Sequence, residues 1–312
     1  MGRYIARRLL LLIPVLLFIS VVTFFLMHSV PGGPFTREKA LPEQILRNLE
    51  KHYCLDEPLW KQYVQYLIGG CGDSKGVLRL DFGPTFSSRS RTVNDIFRDN
   101  LPVSFQLGLW ALLVAVVIGL PLGIVAALKQ NTVWDYLSMG VAVFGVSVPN
   151  MVMGPLLIWI LALGLGLLPV AGWGKPSQVI MPVLALGATE SSRVARLTRA
   201  SMLQVIREDY IRTARAKGLA ERVVTIRHAL RNALIPVITI LGPLFAYLVT
   251  GTFIVEIIFG IPGMGRFFVT SVTNRDYPVI MGTILLYAVV LVLANLLVDM
   301  TYAFLDPRIR YE

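Results

Sequence analysis

Residues 179–218 read VIMPVLALGATESSRVARLTRASMLQVIREDYIRTARAKG, and this stretch decides the fold. Its first ten residues are uniformly apolar, and Glu190, Arg193, Arg196 and Arg199 then arrive at near-helical spacing. A bilayer core about 30 Å thick needs roughly 20 apolar residues in a spanning helix, so ten fall short. A charged side chain near the bilayer centre costs roughly 2.5–3.5 kcal/mol on insertion scales. The segment is therefore expected to be a compromised span, its charged end shielded by other helices or emerging at the cytoplasmic interface.

Around it lie five plainer apolar runs, at residues 9–30, 101–128, 137–168, 235–258 and 279–305. The first follows Arg3, Arg7 and Arg8 as a signal peptide would. Its apolar run is too long for one, and Pro31-Gly32-Gly33-Pro34 offers no small-x-small cleavage site, so it reads as an uncleaved span. The second and third carry Gly119, Pro121 and Gly123, and Pro149, Gly154 and Pro155, where tilt or kinking is expected. The last two contain only Glu256 and Asp299 as acids. The chain of 312 residues is 55% hydrophobic and 15% charged, which excludes disorder, collagen-like repeats and an ordinary pair of water-soluble domains. An all-α membrane protein with six transmembrane helices is the expected fold class.

Charge gives the orientation. The short loops at one set of span ends carry sixteen Lys and Arg, and those at the other carry Lys175, Arg266 and Arg275 alone, so the positive-inside rule puts both termini and the loop after the fourth span in the cytoplasm. Residues 31–100 then lie outside. They hold ten basic and nine acidic residues, and Leu41, Ile45, Leu46 and Leu49 form an apolar face at helical spacing, so a small ordered subdomain is expected there rather than a linker. Cys54 and Cys71, the two cysteines of the chain, both fall in it. Joining them would close a loop of about 17 residues and contribute on the order of 3 kcal/mol; two free thiols are the alternative.

The loop at residues 203–235 stays cytoplasmic and strongly basic. Residues 209–217 favour helix, and Gly218 is placed to end it in the left-handed conformation. Residues 220–233 read as a second helix with Val223, Ile226, Leu230 and Ala233 on one side, and Pro236 falls where the next span begins. Periodicity alone would also suit a basic amphipathic hairpin lying on anionic lipid.

The residues themselves carry a resemblance. Thr213-Ala214-Arg215-Ala216-Lys217-Gly218-Leu219, followed by residues 227–236 with His228 and Leu230, resembles the coupling loop of ABC importer permeases in the branch that imports peptides. Ala214, Gly218 and Leu230 match the general loop pattern. Arg212 and Thr213 stand where it has Glu-Ala, His228 where it has Ile and Arg231 where it has Pro, which looks like the peptide branch's own variant. The likeness runs through Pro31-Gly32-Gly33-Pro34-Phe35-Thr36, Asp81-Phe82-Gly83-Pro84-Thr85-Phe86, Thr92-Val93-Asn94-Asp95, Asn131-Thr132 with Trp134-Asp135-Tyr136, Gly260-Ile261-Pro262-Gly263-Met264-Gly265, and Asp306-Pro307-Arg308-Ile309-Arg310-Tyr311. In this order they resemble the B-type membrane subunit of an oligopeptide or dipeptide permease, and residues 70–80 look like an insertion against that pattern.

The resemblance implies the type I ABC importer permease fold, with residues 1–30 as amino terminus and first helix, 31–100 as an extracytoplasmic insertion between helices 1 and 2, and 101–312 as the permease core. It implies an inner-membrane complex with a homologous C-type permease, two cytoplasmic ABC ATPases, an extracytoplasmic peptide-binding protein and a peptide substrate. ATPase coupling would fall to Arg212, Thr213, Ala214, Arg215, Ala216, Lys217, Gly218, Leu219, His228 and Leu230. Glu190, Arg193, Glu256 and Asp299 are candidates for the pathway or gate, each with a purely structural alternative. No cofactor is expected in this chain, ATP and Mg belonging to the partner ATPases; no metal site is expected from three scattered histidines, and no nucleic acid. Gly174-Lys175 is followed by Pro176 and lacks the first glycine of a phosphate loop, so the chain is not expected to hydrolyse ATP. A self-contained secondary carrier would predict an inverted repeat, and an intramembrane enzyme a nucleophile beside a base; the sequence offers neither.

Overall fold

The structure, a computed structural model, describes residues 2–35, 42–72, 74–88, 90–250 and 252–305. Thr36 and the motif at residues 306–311 lie outside the described residues. The described chain is helical, with one isolated antiparallel bridge between Pro84 and Thr92. It divides into two compact units, one of residues 104–262 and 291 onward, the other of residues 2–103 and 263–290.

The helices are α1 (Gly2–Ser29), α2 (Glu43–His52), α3 (Leu59–Ile68), α4 (Val93–Leu128), α5 (Val133–Ser147), α6 (Asn150–Leu157), α7 (Pro176–Ile206), α8 (Asp209–Ala216), α9 (Glu221–Val223), α10 (Arg231–Thr250), α11 (Phe253–Ile258), α12 (Gly265–Asn274) and α13 (Tyr277–Leu305). Local signals place their starts. Thr92 and Asp95 form a reciprocal cap on α4: the Thr92 N–H donates to Asp95 Oδ2 at 2.9 Å and the Asp95 N–H to Thr92 Oγ1 at 3.2 Å. Pro176 opens α7, where its missing N–H costs nothing, and the Gln178 amide oxygen accepts from the Lys175 N–H at 3.0 Å.

Four helical stretches are long and apolar enough to cross a membrane: Ile5–Ser29, Val93–Leu128, Glu221–Ile258 and Tyr277–Met300. They match the first, second, fifth and sixth expected spans. The third differs from the expected single run. Its two halves, Val133–Ser147 and Asn150–Gly164, are bent by 100°. Pro149 is the cause, since its ring drives the preceding Val148 into extended backbone (φ −98°, ψ 114°). The fourth is one 31-residue helix, α7, in which the short apolar run and the arginines share a single rod. Its charges exclude it from the apolar class, and it is instead the most enclosed helix of its unit, packing on α5, α6, α10 and α11. The second loop helix also departs from expectation: α9 passes through a π-helical turn at Val224–Leu230 directly into α10, so loop and fifth span form one continuous rod and Pro236 lies inside it.

Between α4 and α7 the backbones come into contact through glycine. A Cβ on Gly119 would stand 2.6 Å from the Ser191 carbonyl oxygen, and one on Gly123 2.6 Å from Thr198 Cβ. The four-residue spacing of Gly119 and Gly123 lays them on one face, the small-xxx-small arrangement by which helices in lipid associate without a hydrophobic drive. The glycines that the sequence offered as kink sites thus serve as a packing face, and α4 is a single 36-residue helix.

In the second unit α1 leaves Leu10, Ile13, Phe18 and Leu26 exposed, an apolar face suited to hydrocarbon. A core of Val93, Ile96, Met264 and Val279 joins the starts of α4, α12 and α13. Cys54 and Cys71 are disulfide-bonded, fastening the end of α2 to the turn after α3.

Candidate functional site

The exposed basic hairpin that follows α7 is built from inside outward. Ile211 and Ala214, three apart on α8, are buried against Met202 of α7, Ala127 of α4, and Val224, Ala229 and Ala233 of the following rod, with Leu230 packed against the same cluster. Two apolar residues on one face therefore anchor the short helix, and Arg212, Thr213, Arg215, Ala216 and Lys217 are turned to solvent.

Gly218 ends α8 as the sequence indicates, with φ +78° and its N–H donating to the Arg215 carbonyl at 2.9 Å. Leu219, exposed, donates its N–H to the Ala214 carbonyl at 3.4 Å. Arg215 then clamps the turn: its Nε donates to Glu221 Oε1 at 2.7 Å and its Nη2 to Glu221 Oε2 at 3.3 Å. Asn232 Nδ2 donates to the Tyr210 hydroxyl at 2.7 Å, tying the start of α8 to α10. His228 is half-buried in the π-helical turn. The result is a short stiff prominence, basic on its outer face and mounted on α7 and α10.

A second fixed point lies on α7. Arg199 donates from Nε to Asp135 Oδ1 and from Nη2 to Asp135 Oδ2, both at 2.8 Å, the bidentate fork-to-carboxylate geometry. The Asn131 N–H donates to Asp135 Oδ2 at 3.0 Å, and Asp135 is 3% exposed. This pair locks the turn between α4 and α5 to the same helix that carries the hairpin.

The four candidate pathway or gate residues separate. Glu190 is 3% exposed on α7, and Arg193 Nη1 stands 3.4 Å from its Oε2, with Arg193 largely in solvent. Glu256, 1% exposed on α11, accepts from Ser104 Oγ of α4 at 2.7 Å and from Thr252 Oγ1 at 3.0 Å. Its backbone carbonyl accepts from the Ile261 N–H at 2.8 Å, and the neighbouring Phe259 carbonyl from the Gly172 N–H at 2.8 Å, so the carboxylate sits at the root of a braced turn. Asp299 is half-buried on α13. Glu190 and Arg193 thus form one pair on α7, whereas Glu256 lies on α11 and Asp299 on α13.

In the second unit the structure reveals a latch that the sequence does not display. Asp276, 1% exposed between α12 and α13, accepts from the Thr85 hydroxyl, from the Phe86 N–H at 3.1 Å and from the Ser87 N–H at 3.0 Å. The segment at 81–86 was conspicuous as a motif, and Asp276 follows Arg275 without any local signal. Their separation of about 190 residues hides the pairing.

Comparison with known proteins follows the same lines. Residues 1–108 match the family described as binding-protein-dependent transport system membrane component, N-terminal, and residues 119–311 that described as binding-protein-dependent transport system inner membrane component. The chain is 46% identical, over 99% of its length and 98% of the relative's, to the dipeptide transport system permease protein DppB of Bacillus subtilis. It is 44% identical over the whole of both chains to the oligopeptide transport system permease protein OppB of Salmonella typhimurium. Among solved structures it resembles the inward-facing MetNI methionine ABC transporter, with TM-score 0.54, 19% identity and coverage of 68% of this chain and 96% of that one. An amino acid ABC transporter crystallised with histidines gives TM-score 0.52 at 20% identity, covering 67% and 93%. At such identities the structural likeness speaks for the fold.

Proposed function

The chain belongs to the family of binding-protein-dependent transport system inner membrane components and is a peptide ABC importer permease, and from that premise we propose how it assembles and couples. It forms half of a translocation pathway with a homologous C-type permease, takes peptide from an extracytoplasmic binding protein, and is driven by two cytoplasmic ATPases that hold the ATP and Mg. Six spans, counting the bent α5–α6 pair and the charged α7, put both termini in the cytoplasm and residues 31–100 outside. The oligopeptide and dipeptide relatives, both matched along nearly their full length, support peptides as the cargo.

The hairpin is the coupling element. One observation carries this reading: the exposed residues of α8 and the turn after it, Arg212, Thr213, Arg215, Ala216, Lys217, Gly218 and Leu219, are fixed by the buried Ile211 and Ala214 to α7 and to the rod leading into α10. A side chain docked in a groove on an ATPase would transmit motion through that mounting, because a packed helix moves as a body rather than bending. Arg212 and Lys217 offer positive charge to acidic groups of the groove. Closure of the ATPases would swing the spans between inward-facing and outward-facing states, with the free energy supplied outside this chain. Glu190 and Arg193 would face the pathway or the partner permease on α7, Glu256 would hold the outer gate through its braced turn, and Asp299 would pair near the inner end of α13.

The test is Ala216→Glu together with Gly218→Asp in the reconstituted importer. A Cβ on Gly218 has nothing within 4 Å, so the replacement costs only the left-handed backbone penalty, about 1–2 kcal/mol, and the chain folds. The expected outcome is a folded permease that has lost ATPase association and peptide uptake. Unchanged association and uptake in both variants would exclude the hairpin as the coupling element.

A further inference from the structure

In the second unit α3 is turned inside out. Its exposed residues are Leu59, Trp60, Val64 and Ile68, all apolar, whereas Lys61, Gln62, Tyr63, Gln65 and Tyr66 are half-buried. Trp60, Val64 and Ile68 recur every four residues and so form one stripe along the helix. The 3₁₀ turn Val77–Arg79 packs on α3 and brings the exposed Leu78, with Leu80 just after it. The neighbouring α2 has the ordinary arrangement of a helix in water: it exposes Glu43, Gln44, Arg47, Asn48 and Lys51 around one apolar residue, Ile45, and keeps Leu46 and Leu49 half-buried. Two helices of one small subdomain therefore face different surroundings.

What the stripe meets follows from where α3 is seated. Ser20 Oγ donates to the Leu17 carbonyl at 2.8 Å, so in its 2.8 Å contact with the Tyr63 hydroxyl it accepts and Tyr63 donates. The Phe24 and Tyr63 rings stand 5.3 Å apart between centroids, and Ser20 and Phe24 are both buried. These two residues belong to the apolar span Ile5–Ser29, and Ser20 lies about 13 Å along α1 from Ser29 at a rise of about 1.5 Å per residue. Helix α3 is thus held alongside α1 within the depth of its apolar stretch, the stretch that also exposes Leu17, Phe18, Phe25 and Leu26. The polar groups of the segment suit a dry surrounding. Lys61 is neutralised by Glu57 at 2.6 Å. Gln62 Nε2 donates to the Leu55 carbonyl at 3.1 Å and the Glu57 carbonyl at 2.7 Å, and the Pro58 carbonyl takes the N–H groups of Lys61 and Gln62 at 2.8 and 3.1 Å. The bend entering α3 therefore satisfies its backbone from within, as hydrocarbon requires of non-helical chain. Cys54 and Cys71 flank the helix, and their bridge closes the loop around it.

We propose that α3 is a membrane-dipping helix, lying in the outer leaflet beside α1 with Trp60, Val64 and Ile68 among lipid acyl chains. At ten residues, about 15 Å, it is too short to span, and an indole such as that of Trp60 anchors at the boundary of headgroups and hydrocarbon. The stripe lies at the depth of the lipid-facing surface of α1, and burying it there removes from water an apolar patch that a fully extracytoplasmic helix would leave exposed. The outer leaflet follows from the topology proposed above; contact with lipid does not depend on it.

The experiment uses the assembled transporter in phosphatidylcholine nanodiscs, with a nitroxide attached in turn at Trp60→Cys, Val64→Cys and Ile68→Cys, at Phe18→Cys on α1 as the lipid reference, and at Gln44→Cys on α2 as the water reference. Each replaced side chain is exposed, so the labelled chains keep the fold. The expected result is that nitroxides at 60, 64 and 68 collide with dissolved oxygen more often than with a water-soluble nickel chelate, as at 18, and read an immersion of about 5–10 Å, whereas position 44 shows the reverse. Collisions dominated by the nickel chelate at all three positions would mean a stripe in water, and rare collisions with either reagent would mean a stripe covered by protein; each overturns the proposal. In right-side-out membrane vesicles a charged, impermeant maleimide should label Gln44→Cys without opening them. Labelling only after opening, with lipid contact intact, refutes the proposed topology alone, and labelling from outside with a nickel-accessible stripe refutes the membrane-dipping helix alone.

Discussion

Breaking the Asp135–Arg199 fork from its two ends should give unequal losses. Asp135 is 3% exposed and receives two guanidinium bonds and one backbone N–H, while the Arg199 side chain is 29% exposed. Arg199→Leu leaves a buried carboxylate with a single donor. Removing one partner of a fully buried pair costs about 3–5 kcal/mol; with Arg199 partly in water the figure falls toward the lower end, about 3 kcal/mol. Asp135→Asn keeps an oxygen for the Asn131 N–H and lets Arg199 turn to solvent, so it should cost about 1–2 kcal/mol. Arg199→Lys retains the charge without the fork and should fall between them. The double variant should be less damaged than the sum of the singles by about 1–2 kcal/mol, since neither change has a partner left to orphan. Equilibrium unfolding of the four proteins in mixed detergent measures all of these. An Asp135→Asn variant as destabilised as Arg199→Leu, or strict additivity, would refute the asymmetric-burial reasoning.

Two further changes probe the packing. Gly123→Val should destabilise the chain by about 1–3 kcal/mol or more, because its Cβ would meet Thr198 Cβ at 2.6 Å and force α4 from α7; folded yield and melting temperature should fall well below those of a Gly140→Ala control, whose Cβ meets nothing within 4 Å. Asp276→Asn puts an amide NH2 against N–H and hydroxyl donors at a buried site, and should cost about 3 kcal/mol, read as faster hydrogen exchange at Phe86 and Ser87.

Much of the molecule was legible from hydropathy and punctuation. Four apolar runs became four long helices because a bilayer-length apolar segment has few other stable forms, and Gly218 ended α8 because only its backbone accepts φ +78° without strain. Proline read poorly in both directions. Pro149 bent its span by 100°, beyond a simple kink, whereas Pro236 did not mark a helix start at all. The flanking α9 and π-helical turn continue through it, because packing of Val224, Ala229 and Ala233 on one cluster outweighs a single lost hydrogen bond. Charged residues were visible as charges and invisible as pairs. Arg199 was read as a burden on the fourth span, and its partner Asp135, noticed only within a motif, lies 64 residues away. The outward stripe of α3 is less legible still, since helical spacing cannot tell an exposed Trp60, Val64 and Ile68 from a buried set, and the contact of Tyr63 that seats the helix reaches Ser20, 43 residues away.

The account stands most directly on the physical contact between α8 and an ATPase. With Cys54 and Cys71 joined to each other, a single cysteine introduced by Ala216→Cys is the reactive thiol of the chain. In the assembled, transporting complex a maleimide-benzophenone reagent attached to that cysteine should, on illumination, link residue 216 to an ATPase subunit, with a yield that changes when ATP binds. A complex that still imports peptide but gives no cross-link from residue 216 to an ATPase would contradict the assignment of the hairpin as the coupling element.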